Sequence, residues 1–311
     1  MPELPEVETI RKGLESRLLE KSIVAVEVRA PKLFVGNPED VYDLPIAGIA
    51  RQGKLLAFRF QGDSVLTIHL KMTGQLIWKP AEKQVEVEDD VDNAELEFEA
   101  SDDDDEDDGA VVGGHPEKAY LEPLPHKHTH VILRFDDGST LYFNDLRKFG
   151  RLQVLPAHTL SDLPFLQSLG PEPLEGGFTR DYLAERLNKH PKQPIKSFLL
   201  DQTNIAGLGN IYADESLFRA AILPDRLTGS LKSGEVRNLF DAIQETLEVA
   251  LRHGGSSSRD YVNAVGEKGT FLKVANVYHR QGQLCNRCLV GTIERKKIGG
   301  RSSHFCPKCQ F

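Results

Sequence analysis

The only four cysteines of this 311-residue chain, Cys285, Cys288, Cys306 and Cys309, stand near its C-terminal end as C-x2-C, seventeen residues and a second C-x2-C. No other feature restricts the local fold as strongly. Two such pairs can place four thiolates around one tetrahedral zinc ion, and four protein ligands leave no position for water, so the site reads as structural. Two disulfides would use the same residues, but the intracellular character expected below disfavours them. The segment between the pairs is then a metal-pinned hairpin carrying Arg295, Lys296, Lys297 and Arg301, with Glu294 as the only acid from Tyr278 onward. Such a hairpin suits a phosphate-bearing partner. Lys296 and Lys297 read equally well as solvated charges.

The net charge of -9 hides a strong asymmetry. Residues 82–122 hold 18 acids against Lys83 and Lys118, whereas the remaining chain holds 36 basic and 29 acidic residues. Outside one segment the protein is basic, as a polyanion-binding protein is. The run from Ser101 to Gly109 cannot bury apolar surface, so 82–122 is expected to be a disordered insertion. It reads as an inert loop, a partner-binding tail or a self-inhibiting mimic of a nucleic-acid backbone. No apolar run has the length of a membrane helix, and the start of the chain is acidic and proline-broken, unlike a signal peptide. A soluble cytoplasmic monomer without membrane contact is expected.

Along the chain, Val7, Ile10, Leu14 and Leu18 recur at spacings of three and four and predict an amphipathic helix over 5–19. Strand-like runs follow at 23–29, 54–60, 65–70, 75–78, 129–135, 139–143 and 151–155, and Asp136-Asp137-Gly138 marks a hairpin. Helical crossovers are missing between these strands, which points to an antiparallel sandwich or barrel. After a linker at 156–164 and a turn at 170–173, helices are predicted over 179–188, 194–201, 211–221 and 231–253. The class is therefore α+β, with an N-terminal β-sandwich domain (1–155), a helical domain (156–274) and a zinc finger (275–311).

Two stretches carry chemical promise. Met1-Pro2-Glu3-Leu4-Pro5-Glu6-Val7-Glu8 starts a helix well, with proline and acids in the first turn. Should Met1 be removed, the chain would begin with the secondary amine of Pro2. A terminal amine titrates near ~7.8, so roughly a tenth is free base at neutral pH, far more than for a lysine near ~10.4. It is then a ready nucleophile, with the Glu3 carboxylate adjacent to manage protons. Further on, Ile205-Ala206-Gly207-Leu208-Gly209-Asn210 joins two helices, with Asn210 expected to cap the second. An open glycine turn at a helix N-terminus suits phosphate.

These motifs together resemble the bacterial formamidopyrimidine-DNA glycosylases. Pro2-Glu3-Leu4-Pro5-Glu6-Val7-Glu8-Thr9, the helix–two-turn–helix around Gly207-Leu208-Gly209-Asn210-Ile211-Tyr212-Ala213 and the four-cysteine finger occur in the family's order, and the likeness covers nearly all the chain except the acidic segment. The resemblance implies that Pro2 attacks C1′ of the damaged nucleotide, that Glu3 protonates the opening sugar and that Glu6 orders the pocket. It also assigns Lys54 and His69 to phosphates near the lesion. Met72, Arg147 and Phe149 would be the wedges that fill the gap left by a flipped nucleotide. By residue type alone, Met72 and Phe149 read as core and Lys54 as an ordinary strand-end lysine. Asn210, Tyr278 and Arg301 match further backbone contacts, and 254–271 matches a lid over the flipped base. Asp145-Leu146-Arg147-Lys148-Phe149-Gly150 departs from the family's Asp-Pro-Arg-Arg-Phe-Gly at Leu146 and Lys148 and keeps the wedge positions Arg147 and Phe149.

The implied activity is excision of oxidised purines from damaged double-stranded DNA, followed by β,δ-elimination at the abasic site, on a bacterial, nucleoid-associated enzyme with one structural zinc. An endonuclease VIII-type glycosylase for oxidised pyrimidines and a non-catalytic damage-binding protein are the alternatives. Leu4 favours the purine branch, where the pyrimidine branch tends to carry glycine.

Overall fold

The computed structural model describes residues 2–81, 111–114, 123–256 and 269–311. Most of the acidic segment and of the expected lid lies outside them. Val111–Gly114, inside the segment expected to be wholly unstructured, pairs as a strand with Gly74–Lys79.

Helix α1 (Leu4–Leu18) begins where Pro5 occupies the first turn and Glu3 caps it. The Glu3 N–H donates to Glu6 Oε2 at 2.8 Å, one half of a capping box. Val7, Ile10, Leu14 and Leu18 all point into one core with both sheets. Each buried side chain of this size contributes roughly 2 kcal/mol.

The strands are β1 (Ile23–Val28), β2 (Phe34–Val35), β3 (Ile46–Gln52), β4 (Leu55–Phe60), β5 (Ser64–His69), β6 (Gly74–Lys79), β7 (Val111–Gly114), β8 (Thr129–Phe135), β9 (Thr140–Asp145) and β10 (Arg151–Pro156). They form two five-stranded sheets, ordered β1-β8-β9-β6-β7 and β2-β10-β5-β4-β3. Pairing is antiparallel as expected except at β2 and β10, which run parallel. Residues of both sheets, such as Leu56, Phe58 and Ile68 from one and Leu76, Val131 and Phe143 from the other, share the core, which makes this half a sandwich. The expected hairpin joins β8 to β9, where Asp137 accepts the Ser139 N–H at 3.0 Å.

The expected linker is more ordered than its prolines suggested. A 3-10 turn over Ala157–Asp162 and a short helix α2 (Pro164–Gln167) run along the second sheet. The helical half comprises α3 (Arg180–Lys189), α4 (Ile195–Leu200), α5 (Asn210–Arg219), α6 (Ser233–Arg252) and the short α7 (Phe271–Val274), packed around Phe198, Leu208, Tyr212, Ile243 and Leu247. Strands β11 (Glu294–Ile298) and β12 (Arg301–Phe305) form the finger hairpin, and α5 packs against β12. Among the described residues no helix is long and apolar enough to cross a membrane.

Candidate active site and nucleic-acid interface

The start of the chain and the start of α5 meet. Gly209, rather than the expected Asn210, is the N-cap of α5, and Asn210 is its first residue. Two of the free N–H groups of that helix end are taken from within the chain. Glu3 Oε1 accepts from Ile211 N–H at 3.0 Å and Oε2 from Tyr212 N–H at 3.4 Å. At these two N–H groups the protein's own carboxylate takes the place an anion would favour. The glycines permit the approach. A Cβ on Gly209 would lie 2.3 Å from Glu3 Cδ, and Gly207, at φ +83°, would bring one 2.8 Å from Leu4 Cβ. Leu4 N–H closes the joint on Gly207 O at 3.0 Å.

Lys54 reaches the same corner from the β3–β4 turn. It is 7 % exposed, and its Nζ donates to Leu208 O at 3.0 Å. Burial raises the Glu3 carboxyl above its usual range, partly offset by the positive charge of Lys54, while burial lowers Lys54, partly offset by Glu3. Pro2 is itself buried beside this pair. Glu6 faces the other way, where its Oε1 accepts from the Tyr212 hydroxyl, from Ser256 N–H at 2.6 Å and from Ser256 Oγ at 2.7 Å. The first residues of the expected lid are therefore tied to α1. Burial and the neighbouring carboxylates of Glu6 and Glu3 keep Tyr212 protonated as a donor.

A cleft of about 540 Å³ opens above Glu3, lined among others by Met72, Asn210, Tyr278, Arg301 and His304. Sequence positions from both halves and the finger thus share one cavity. Asn210 Nδ2 donates to Ser302 O at 3.0 Å, which docks the finger hairpin on α5. Tyr278 is raised to about 12 by burial and the Glu3 carboxylate, so its hydroxyl stays protonated. Of the hairpin's basic residues, Lys296 pairs with Asp225 instead of joining the cleft.

The three expected wedges gather at the sandwich rim. Arg147 Nη1 lies 3.2 Å from Met72 Sδ, and its guanidinium stands 4.7 Å from the Phe149 ring centre. Phe149 is 53 % exposed, so it is not core. Met72 is half-buried, Arg147 is exposed, and Lys148 is exposed at φ 56°. His69 does not line this cleft but a neighbouring pocket, with Lys71 and Phe165. Its Nδ1 accepts from Lys71 N–H at 3.0 Å, and burial together with the charges of Lys71 and Lys54 pushes it down to about 3.

In the finger, the Sγ atoms of Cys285 and Cys309 are 3.7 Å apart, those of Cys288 and Cys306 3.8 Å, and all four lie within 4.8 Å of one another. A tetrahedral zinc with Zn–S of about 2.3 Å separates its sulfurs by about 3.8 Å. The donor set fits the ion.

Comparison with known proteins agrees with this geometry. Models of the formamidopyrimidine-DNA glycosylase N-terminal domain, the formamidopyrimidine-DNA glycosylase H2TH domain and the zinc finger found in FPG and IleRS match residues 1–152, 169–262 and 291–310. The chain belongs to the formamidopyrimidine-DNA glycosylase family. It is 37 % identical over 316 residues to the enzyme of that name from Pelotomaculum thermopropionicum, covering 100 % of this chain and 99 % of the relative. Identity to the Geobacillus kaustophilus enzyme is 39 % over 318 residues, covering both chains fully. A structure of Lactococcus lactis Fpg with abasic site containing DNA superposes with a TM-score of 0.80 at 32 % identity over 99 % of each chain.

Several residues that position this glycosylase-family cleft escaped the sequence reading. Asp145, fully buried, accepts from Phe149 N–H at 2.8 Å, Gly150 N–H at 2.7 Å, Arg147 N–H at 3.1 Å and the Thr73 hydroxyl. Glu215 accepts from Asn276, Val277 and Tyr278 N–H at 2.8, 2.8 and 2.9 Å. Buried Lys196 donates to Asp214 Oδ1 at 2.6 Å and to Asn210 O at 2.8 Å, while Asp214 Oδ2 accepts from His304 N–H at 2.9 Å. Glu172 of the linker turn accepts from Gly53 N–H at 2.6 Å and Arg51 Nη1 at 2.8 Å, joining the halves one residue from Lys54. The available signal was acids placed among apolar residues, as in Ile211-Tyr212-Ala213-Asp214-Glu215-Ser216-Leu217-Phe218.

Proposed function

We propose that the chain is a bifunctional DNA glycosylase and abasic-site lyase that excises oxidised purines, 8-oxoguanine and formamidopyrimidines, through the amine of Pro2. The observation that carries this reading is Glu3. A carboxyl group 2 % exposed, raised by burial, sits at the floor of an interdomain cleft one peptide bond from Pro2 and beside Lys54. Burial strengthens the hold of this carboxyl on a proton, which suits a group that takes up a proton and passes it on during the reaction.

Once Met1 is removed, the free-base Pro2 nitrogen attacks C1′ and the N-glycosidic bond breaks, its electron pair leaving with the base, which takes up the N–H proton that the nitrogen gives up. Glu3 gives its proton to the sugar-ring oxygen as that ring opens, and the nitrogen–carbon bond becomes an iminium. Loss of a C2′ proton then expels the 3′ phosphate, and a second elimination expels the 5′ phosphate. Lys54 and His69 hold phosphate near the lesion. Asn210, Tyr278 and Arg301 hold the strand along the helical wall, and Met72, Arg147 and Phe149 enter the duplex. Zinc on Cys285, Cys288, Cys306 and Cys309 keeps the hairpin in shape and takes no part in bond breaking. Glu6, tied to Ser256, couples the lid to the amine.

Borohydride trapping on abasic DNA tests the core of this reading. Wild type is expected to give a covalent adduct that Pro2→Gly loses by more than tenfold, and its absence in wild type would overturn the lyase. Excision from 8-oxoguanine and thymine-glycol duplexes measured side by side separates the purine from the pyrimidine branch.

A further inference from the structure

The outer face of the second sheet carries a pocket that the chemistry above leaves unused apart from His69. Cross-strand register aligns Leu55, His69 and Arg151 in one row and Ala57, Thr67 and Gln153 in the next. Paired residues share a sheet face, and so do residues two apart, so both rows look outward. The linker covers the far end of this face by packing Leu160 and Leu163 against Ala57, Val65 and Leu155. At the near end it leaves a pocket of about 240 Å³, walled by Leu163, Pro164 and Phe165. The pocket begins at Leu55, one residue from Lys54.

Its polar lining is one-sided. Lys71 and Arg151 contribute positive charge, Gln153 and the neutral His69 ring contribute hydrogen bonds, and no acid lines it. Neither cation has a carboxylate partner among the described residues, in contrast to Arg51 or Lys296. Phe165 is part of the wall and holds two of these groups. Lys71 Nζ lies 5.7 Å from its ring centre, and His69 meets it edge-on at 5.6 Å. Two unpaired cations beside an aromatic face in a concave, partly apolar pocket match a phosphate ester that carries a sugar or base.

We infer that this pocket is a further backbone subsite, in which Lys71 and Arg151 hold the phosphate of a nucleotide beyond the one at Lys54 and Phe165 covers its sugar or base. The inference rests on the DNA-glycosylase reading. It also accounts for the unequal treatment of the outer face, where one end is sealed by aliphatic packing and the end nearest Lys54 stays open and positive.

The test is a salt titration of affinity for a duplex containing a tetrahydrofuran abasic analogue. Each phosphate contact on B-form DNA contributes about 0.9 to the slope of log K against log salt. Arg151→Ala combined with Lys71→Gln is expected to lower that slope by about 0.9, the worth of one phosphate, with each single variant lowering it by part of that and weakening binding near 0.1 M salt. Arg59→Ala, which removes an exposed charge from β4 outside the pocket, is expected to leave the slope unchanged. A walk of single methylphosphonate substitutions should then find one position that weakens wild type but not Arg151→Ala. Equal slope loss in Arg59→Ala, or no such position, overturns the subsite. Competition by free deoxynucleotide monophosphate that is lost in Arg151→Ala, with the duplex slope unchanged, would also overturn it, by assigning the pocket to a free nucleotide. Absence of salt-dependent duplex binding in wild type would instead defeat the DNA reading itself.

Discussion

On the sandwich side of the cleft, Met72, Arg147 and Phe149 stand on strand-end loops and present sulfur, guanidinium and an exposed ring. On the helical side, Asn210, Tyr278 and Arg301 stand on a helix start, a turn and a hairpin, and present hydrogen-bond donors. The supports are nevertheless alike. Asp145 collects three backbone N–H groups and one hydroxyl beneath the wedges, and Glu215 collects three N–H groups leading into Tyr278. Separating the buried carboxylate from the exposed side chain lets each wall change what it shows without rebuilding what holds it. The apolar wall suits entry into a base stack, and the polar wall suits a phosphate backbone.

The comparison predicts that a carboxylate's loss is read in stability first. Glu215→Ala strands three N–H donors around Tyr278 and is expected to cost roughly 3 kcal/mol, since charge-assisted hydrogen bonds and unpaired buried donors each weigh on the order of 1–3 kcal/mol. Urea unfolding measures it, and a cost below about 1 kcal/mol would mean that the segment is held elsewhere. Asp145→Ala should cost less, about 2 kcal/mol, because two of its four donors sit on the exposed residues Arg147 and Phe149, whereas the Glu215 donors sit on buried or half-buried ones. It should lower excision about tenfold or more while leaving salt-dependent duplex binding largely intact. Equal loss of both would erase the distinction between the walls.

How much of this was legible in the sequence follows the range of the forces involved. The α1 stripe, most strands, the β8–β9 hairpin and the four-thiolate finger are local patterns and could be read directly. Strand β3, Ile46-Ala47-Gly48-Ile49-Ala50-Arg51-Gln52, was missed because its small residues carry little strand signal, and its place is fixed by pairing with β4. The cap of α5 was misplaced by one residue for a different reason. The group that satisfies that helix end, Glu3, is more than 200 residues away, and nothing local to Gly209 announces it. Asp145, Asp214 and Glu215 look like surface acids in a one-dimensional reading, and only the packing that surrounds them shows otherwise.

Exposed side chains give the opposite signature. Phe149→Ala should change stability by less than about 0.5 kcal/mol, as surface substitutions do, yet slow excision on the order of tenfold. A large stability loss would return Phe149 to the core that its residue type first suggested.

The smallest effect is expected at His69, and it tests charge on the sandwich side. Its imidazole is pushed down to about 3 by burial and by Lys71 and Lys54. Because that lies below the ordinary value near ~6.5, the ring is neutral in the folded protein throughout the pH range 6–8, and acidification to pH 6 does not charge it. With Nδ1 accepting from Lys71 N–H, the remaining N–H is a neutral donor. Phosphate held this way releases no counterion, so His69→Gln should weaken duplex binding slightly while leaving the salt slope and its pH dependence between 6 and 8 as in wild type. Lys54→Gln, in contrast, should lower the slope. A slope in wild type that steepens as pH falls from 8 to 6, and does so only when His69 is present, would show a charged imidazole and would require the ring to be more open to water than its packing against Phe165 and Lys71 allows.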